Sequence, residues 1–197
     1  MATYFVKQLS TEAPNVSIKI VDWQKNTEHW LNEGKIDMAL NSIVHMNAQL
    51  HGYQIGAMPL SVVTAKDHPL AQRDFTIEEI FDYQHVRAFP AGLGEELIDG
   101  LAEELKRTRK VAASASSYSV LSRVIASSNK IGVFPLGAAN HLDNSQFTIH
   151  RIDEIAPIPT YCFWHQRCHR DPAHQFVRSI IIDIATSVME QRGLKAT

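Results

Sequence analysis

The stretch VAASASSYSVLSRVIASSNKIGVFP, residues 111–135, determines the fold class that the sequence predicts. Residues 111–115 and 131–134 each predict a strand, and the segment between them carries Leu121 and Ile125 at helical spacing. A strand, a helix and a second strand in direct succession are typical of a parallel sheet with crossover helices.

The same alternation continues outward along most of the chain. Further strands are predicted at residues 16–20, 36–40, 60–65, 85–89, 147–152 and 161–164. Further helices are predicted at residues 2–13, 28–33, 97–105 and 172–188, and one begins at Thr76. No element is predicted from Asn41 to residue 59, where the pattern breaks. The sequence therefore predicts an α/β fold with mainly parallel sheets.

Local signals mark three of the helix boundaries. Gly34 stands where a helix end favours a left-handed residue. Thr76 and Glu79 have the spacing of a capping box, and Asp171 followed by Pro172 predicts an N-cap and a first helical residue. These boundaries need no tertiary contact to be predicted.

Composition excludes several classes of protein. The 197 residues are 45% hydrophobic and 20% charged, which is ordinary for a globular protein of one large domain or two small ones. The 19 basic and 21 acidic residues give a formal net charge of −2, so the strongly basic surface of a nucleic-acid binder is not expected.

Location and redox state are predicted from what the sequence does not contain. No apolar stretch reaches the ~18 residues of a membrane span, and the N-terminus does not resemble a secretory signal. Cys162 and Cys168 form no disulfide framework. We therefore expect a cytoplasmic protein without a membrane partner.

Enzyme and metal motifs are weak or missing in the sequence. There is no dinucleotide or phosphate-binding glycine motif, no nucleophile elbow and no HExxH. The residue types that zinc prefers occur at Cys162, His165, Cys168, His169 and His174, but their spacing matches no zinc module. No metal, cofactor or catalytic residue is predicted; an enzyme stays a minor alternative, because catalytic groups distant in sequence can meet in space.

Turns after predicted strands supply the candidate binding residues. Ser116, Ser117 and Tyr118 follow one strand and open a helix, where free N–H groups and the helix dipole favour an anion; plain N-capping is the alternative. Phe89-Pro90 and Phe134-Pro135 follow two more strands, where ligands of open α/β sheets bind. Core packing of both phenylalanines is the alternative. His85 and Arg87 could add charge, or point away.

Several motifs together resemble the effector-binding domain of LysR-type transcriptional regulators, and most of all its nodulation and aromatic-degradation branch. The motifs are residues 14–20 (PNVSIKI), 31–40 (LNEGKIDMAL), 62–63 with 68–71 (VV and HPLA), 124–126 with 131–135 (VIA and IGVFP), 164–165 (WH), 171–174 (DPAH) and 177–178 (VR). Each motif is weak alone, but their order spans about the whole chain. The polar turn 127–130 departs from the glycine-rich turn of most members.

The resemblance implies two Rossmann-like subdomains of the type II periplasmic-binding-protein kind. Subdomain I would comprise residues 1–61 and 166–197, subdomain II residues 66–160, and residues 62–65 and 161–165 would be hinge crossover strands. A small-molecule effector, such as an aromatic or carboxylic acid, would bind between the lobes. The helix-turn-helix domain and the first strand of subdomain I would precede residue 1, so DNA would be contacted only through that missing part.

The resemblance also places the candidate residues and partners. The expected effector contacts are Ser116, Ser117, Tyr118, Phe89, Pro90, Phe134 and Pro135 from subdomain II, and Asn41, Ser42 and Trp23 from subdomain I; a core role for Trp23 is the alternative. A homodimer or homotetramer is expected, with Phe5, Val6 and residues 16–20 as its surface. The rival of another class is a solute-binding receptor for a transporter, which would require an export signal.

Overall fold

A computed structural model gives the structure of residues 2–23, 26–42, 47–89, 92–191 and 194. The chain divides into two units: unit 1 is Met1–Ala57 with Pro159–Thr197, and unit 2 is Met58–Ile158. These limits fall a few residues before the predicted crossover segments 62–65 and 161–165, whose role as hinges stays a prediction.

The secondary structure follows the predicted alternation closely. Among the described residues the strands are β1 (Met38–Asn41), β2 (Leu50–Met58), β3 (Leu60–Ala65), β4 (His85–Ala88), β5 (Val111–Ala115), β6 (Ile131–Pro135), β7 (Phe147–Arg151) and β8 (Ile158–His165). The α-helices are α1 (Ala2–Glu12), α2 (Thr27–Glu33), α3 (Leu93–Glu104), α4 (Tyr118–Ala126), α5 (Leu136–Ala139) and α6 (Pro172–Gln191). Short 3-10 helices span Pro69–Gln72, Ile77–Asp82 and Gln166–Cys168.

Unit 1 is built on a three-stranded sheet with the order β1-β8-β2. The central strand β8 is buried on both faces because alternate side chains enter two different cores. Cys162 and Trp164 pack with α1 and α6, whereas Phe163 packs with Leu31 and Ala39 on the other face. Burial of this kind holds the sheet between two apolar layers.

Unit 2 is built on a five-stranded sheet with the order β5-β4-β6-β3-β7. Strand β4 runs parallel to both β5 and β6, but β3 runs antiparallel to β6 and β7. The prediction of mainly parallel sheets is therefore right for β5, β4 and β6 and wrong for the pairs that β3 makes with β6 and β7. Two apolar cores cover the sheet: one includes Ile98 of α3 and the other Ile125 of α4.

The locally marked helix boundaries are confirmed. Gly34 closes α2 with a φ of 77°, and the amide of His174 donates to the Asp171 carboxylate at 2.7 Å. The capping box of Thr76 and Glu79 is formed, although the helix after it is a 3-10 helix. Hydrogen bonds from Arg73 and from the Thr76 amide lower the pKa of Glu79 to about 2.

Two strand predictions differ from the structure. The segment 16–20 lies outside regular secondary structure, and its Val16, Ile18 and Ile20 are exposed. A strand needs a hydrogen-bonded neighbour, and no described strand pairs with this segment. Conversely, β2 forms where no element was predicted, because its polar and glycine residues hide the apolar pattern of a strand.

None of the helices described in the structure is both long enough and apolar enough to cross a lipid bilayer.

Candidate functional site

The carboxyl ends of three neighbouring strands in unit 2 meet at one edge of its sheet. Strands β5, β4 and β6 are parallel, so the residues that follow them share this edge. Phe89 follows β4, Ser116 and Ser117 follow β5, and β6 ends at Pro135. The amide of Phe89 donates to the carbonyl of Ala115 at 2.9 Å, which ties the ends of β4 and β5 together.

The start of α4 presents hydroxyl groups at this edge. Ser117 is the residue before the helix, yet its side chain makes no capping hydrogen bond. The hydroxyls of Ser117 and Ser119 instead lie 2.8 Å apart and bond to each other. The N-capping alternative is therefore not realised at Ser117, and Ser116 beside it is exposed.

Tyr118 forms the aromatic part of the site. Its ring packs edge-on against Phe134 with the two ring centroids 4.8 Å apart, and the residue keeps 36% of its surface exposed. Burial of the phenol raises the pKa of Tyr118 to about 12, and the negative charge of Glu95 acts in the same direction. At neutral pH the hydroxyl is therefore protonated and can donate a hydrogen bond.

A buried carboxylate lies directly behind the end of β4. Glu95, in the first turn of α3, is 6% exposed and accepts a hydrogen bond from the amide of Ala88 at 2.8 Å. Its other oxygen lies 2.7 Å from the guanidinium of Arg109 and 3.8 Å from that of Arg87. The carboxylate is thus fixed against the strand end that carries Phe89.

The same two arginines also pair with Asp99, one turn further along α3. Arg109 donates to Asp99 at 3.0 Å and Arg87 bonds the other carboxylate oxygen. Arg109 further donates to Nδ1 of His85 at 3.2 Å, while Nε2 of His85 lies 3.0 Å from the Ile80 carbonyl. Burial, aided by Arg109, lowers the pKa of His85 to about 4, so the ring is neutral.

The predicted residues of unit 2 fall into three groups. Phe89 is 66% exposed, and it lies at the edge together with Ser116, Ser117 and Tyr118. Phe134 is fully buried and supports the Tyr118 ring, which corresponds to the core alternative; it offers no surface to a ligand. Pro135 is half-buried at the end of β6, and Pro90 lies outside the described residues.

The predicted residues of unit 1 lie around the end of β1. The Ser42 amide donates to the Asn41 side chain at 2.8 Å, and the Ser42 and Thr160 hydroxyls are 2.9 Å apart. Trp23 is half-buried and meets Phe163 edge-on with centroids 6.3 Å apart, so it takes part in the core of unit 1. Their roles as effector contacts stay predictions.

Two of the histidines near the end of β8 have hydrogen-bond partners, and Cys162 is buried. Trp164 donates to Nδ1 of His169 at 3.2 Å, and Nε2 of His174 lies 3.2 Å from the Asp37 carbonyl. Burial raises the pKa of the Cys162 thiol to about 12. No three His, Cys, Asp or Glu side chains in the described part of the chain lie close enough to hold a metal ion.

Glu95, Asp99 and Arg109 were not predicted from the sequence as part of the site. Glu95 and Asp99 are four residues apart in α3, so they share one face of the helix. The signal that could have found them was this i, i+4 acidic pair, whose Glu95 lies on the face that carries the buried Ile98 and Ala102. Their partner Arg109 precedes β5, and the contact exists only once the strands are paired.

Comparison with known proteins identifies the family of the chain. The family model described as "LysR substrate binding domain" matches residues 2–184. The chain therefore belongs to the LysR substrate-binding-domain family.

Individual relatives and structures are similar over most of the chain. NahR, a helix-turn-helix transcriptional activator of Pseudomonas putida, is 21% identical over 182 residues, which cover 90% of this chain and 60% of NahR. The regulatory domain of MexT, a transcriptional activator in Pseudomonas aeruginosa, superposes with a TM-score of 0.78 at 18% identity, covering 92% of this chain and 89% of that chain. The effector-binding domain of QuiR in complex with shikimate gives 0.78 at 16% identity, covering 95% and 91%. The chain spans about 60% of the length of NahR.

Proposed function

We propose that this chain is the ligand-sensing part of a transcriptional regulator and binds a small-molecule effector at the carboxyl edge of the unit 2 sheet. The observation that carries the proposal is the meeting of Phe89, Ser117 and Tyr118 at the ends of parallel strands. An exposed aromatic ring beside several hydroxyls gives apolar contact area together with hydrogen bonds that fix orientation, as small-molecule sites require.

The family supports the same function. NahR is a transcriptional activator and the QuiR domain holds shikimate, so a domain of this kind can bind a small hydroxylated acid. An effector regulates only through the difference in its affinity for two states of the regulator. Couplings of this type are typically ~1–3 kcal/mol, which corresponds to roughly 5–150-fold in DNA affinity or activity. DNA binding itself is proposed for a longer regulator and not for this chain.

A thermal-shift screen of aromatic and aliphatic acids, with their neutral analogues, tests ligand binding. For any compound that stabilises the chain, we expect Phe89→Ala and Ser117→Ala to weaken binding because both side chains lie at the edge. The matched control is Ser127→Ala, at the opposite end of α4, whose hydroxyl bonds the Arg123 carbonyl. Equal affinity in all three variants would place the effector elsewhere.

We further propose that copies of the chain associate through the exposed apolar face of α1 and residues 16–20. Of the predicted α1 residues, Phe5 instead packs partly buried against the core of unit 1. Tyr4, Val6 and Ile20 are each about half exposed, which is unusual for large apolar side chains close together in sequence and favours a partner surface. Sedimentation analysis should show dimers or tetramers that Val6→Lys dissociates. Phe176→Lys, at an equally exposed position on α6, serves as the control and should leave the mass unchanged.

A further inference from the structure

The charges behind the effector edge restrict which ligand group can bind there. Glu95 and Asp99 together carry two negative charges, and Arg87 and Arg109 carry two positive charges. Each arginine contacts both carboxylates, so the network is formally neutral. Neither guanidinium is therefore left over as a counterion for a ligand carboxylate at this edge.

The position of Glu95 makes the edge less favourable still for an anion. Its carboxylate bonds the Ala88 amide, one residue before Phe89, and Ala88 is paired with Ala115, which precedes Ser116. The carboxylate therefore bonds the residue before Phe89, and that residue lies beside the one that precedes Ser116. Glu95 is 6% exposed, so its charges are poorly screened by water. The oxygen that bonds the Ala88 amide faces the strand end, whereas Arg109 and Arg87 lie against the other oxygen, so the negative end of this ion pair is the one nearer to the edge.

The groups that face a ligand are, in contrast, suited to uncharged polar atoms. The Tyr118 hydroxyl is a donor, since burial and the Glu95 charge keep it protonated. The hydroxyls of Ser117 and Ser119 can each donate or accept. Phe89 offers an exposed ring beside them. Such a set recognises an alcohol, a phenol, an amide or a carbonyl oxygen on an aromatic or cyclic body.

We infer that Glu95 is a specificity-determining residue that makes the edge of unit 2 accept the uncharged, hydrogen-bonding part of the effector and disfavour a carboxylate. This inference rests on the proposed function and narrows it. It also revises the expectation of an anion at Ser116, Ser117 and Tyr118. The helix dipole at the start of α4 favours an anion there, but the Glu95 carboxylate opposes it. Glu95 is a positioning residue, since it acts through the strand end and the local charge.

Benzamide and benzoate are suitable probes because they share a ring and differ by one charge. We expect the native chain to bind benzamide about tenfold more tightly than benzoate at this edge, measured by ligand-observed and amide NMR titration. Glu95→Gln should remove this preference. Its amide oxygen can still accept from the Ala88 amide, so the fold of the edge is retained.

Asp99→Asn provides the matched control. It makes the same change of charge in the same network and contacts the same two arginines, but Asp99 does not bond the strand end. The preference for benzamide should fall less in this variant than in Glu95→Gln, because the charge that bonds the strand end is kept. Tyr118→Phe gives a second measurement that leaves the buried network intact: it should weaken benzamide binding and leave benzoate binding unchanged.

The possible results separate the inference from the proposed function. Equal binding of the two probes to the native chain, or an unchanged preference in Glu95→Gln, overturns the role of Glu95 while the edge remains a binding site. If neither probe shifts the Ser117 and Tyr118 amides, the inference about Glu95 is overturned. If no compound of the thermal-shift screen shifts them either, the proposed binding edge is overturned as well. If Glu95→Gln does not fold, equal losses of both probes in Tyr118→Phe overturn the inference.

Discussion

Acidification should destabilise the protein through the buried ring of His85. The ring is fully buried, with Nε2 facing the Ile80 carbonyl and Nδ1 accepting from the Arg109 guanidinium. A proton on Nδ1 would therefore face a donor and a positive charge. Burial, followed by Arg109, lowers the pKa of His85 from an ordinary 6.5 to about 4.

The sign follows from proton linkage. Above pH 6.5 the ring is neutral in both the folded and the unfolded chain, and the native contacts contribute fully. Below pH 6.5 His85 becomes protonated in the unfolded chain but stays neutral in the folded chain, so the free energy of unfolding falls as the pH approaches 4. At 1.36 kcal/mol per pKa unit, the loss between about pH 7.5 and about pH 5 amounts to about 2 kcal/mol.

Urea unfolding of the native chain and of His85→Gln at the two pH values measures this contribution. Glutamine can still donate to the Ile80 carbonyl but does not titrate, so its stability should fall about 2 kcal/mol less than that of the native chain. His29→Gln is the control, because the His29 side chain is 65% exposed and pairs with Glu33 at the surface. Equal falls in stability for native chain and His85→Gln would refute the assignment of a neutral buried ring.

Three further changes test the packing and capping described above. Asp171→Ala should lower the free energy of unfolding by about 1 kcal/mol, because the His174 amide loses its acceptor. Thermal unfolding monitored by circular dichroism measures this, and an unchanged melting temperature would contradict the cap. Gly132→Ala should lower the free energy of unfolding in urea by about 1–3 kcal/mol, since its new Cβ would lie 2.7 Å from the Phe134 ring and 2.9 Å from Ile125. An unchanged free energy would show that the neighbouring side chains can move to make room. Phe134→Ala should lower the free energy of unfolding by about 3–5 kcal/mol in the same assay, because the side chain is fully buried. A loss below about 1 kcal/mol would contradict its role in the core.

Local chemistry made most of the secondary structure predictable from the sequence. The end of α2 at Gly34 and the start of α6 at Asp171 depend on one residue's conformation or side chain, so no distant contact is needed. Strand β3 was likewise predicted because the β-branched run Val62-Val63-Thr64 suits a buried strand, and all six residues of β3 are buried in the structure. These signals fix the type of each element within its own stretch of chain.

The candidate site was predicted only in part. The turn residues Ser117, Tyr118 and Phe89 were found because parallel strands bring their carboxyl ends to one edge. Phe134, expected as an apolar wall of the site with core packing as the alternative, is fully buried, because a turn after a strand does not reveal whether its aromatic ring points outward or into the core. Both phenylalanines precede a proline, yet one is 66% exposed and the other buried.

By itself, then, the sequence determined the order of strands and helices, the helix boundaries and the family resemblance, since these depend on neighbours within a few residues. Only the tertiary structure decided that residues 16–20 have no described strand partner, that β2 joins a sheet, and that Glu95 meets Arg109 behind Phe89. Strand pairing and buried ion pairs join residues that are far apart in the chain. Their energies depend on distance and burial, which periodicity along a sequence does not contain.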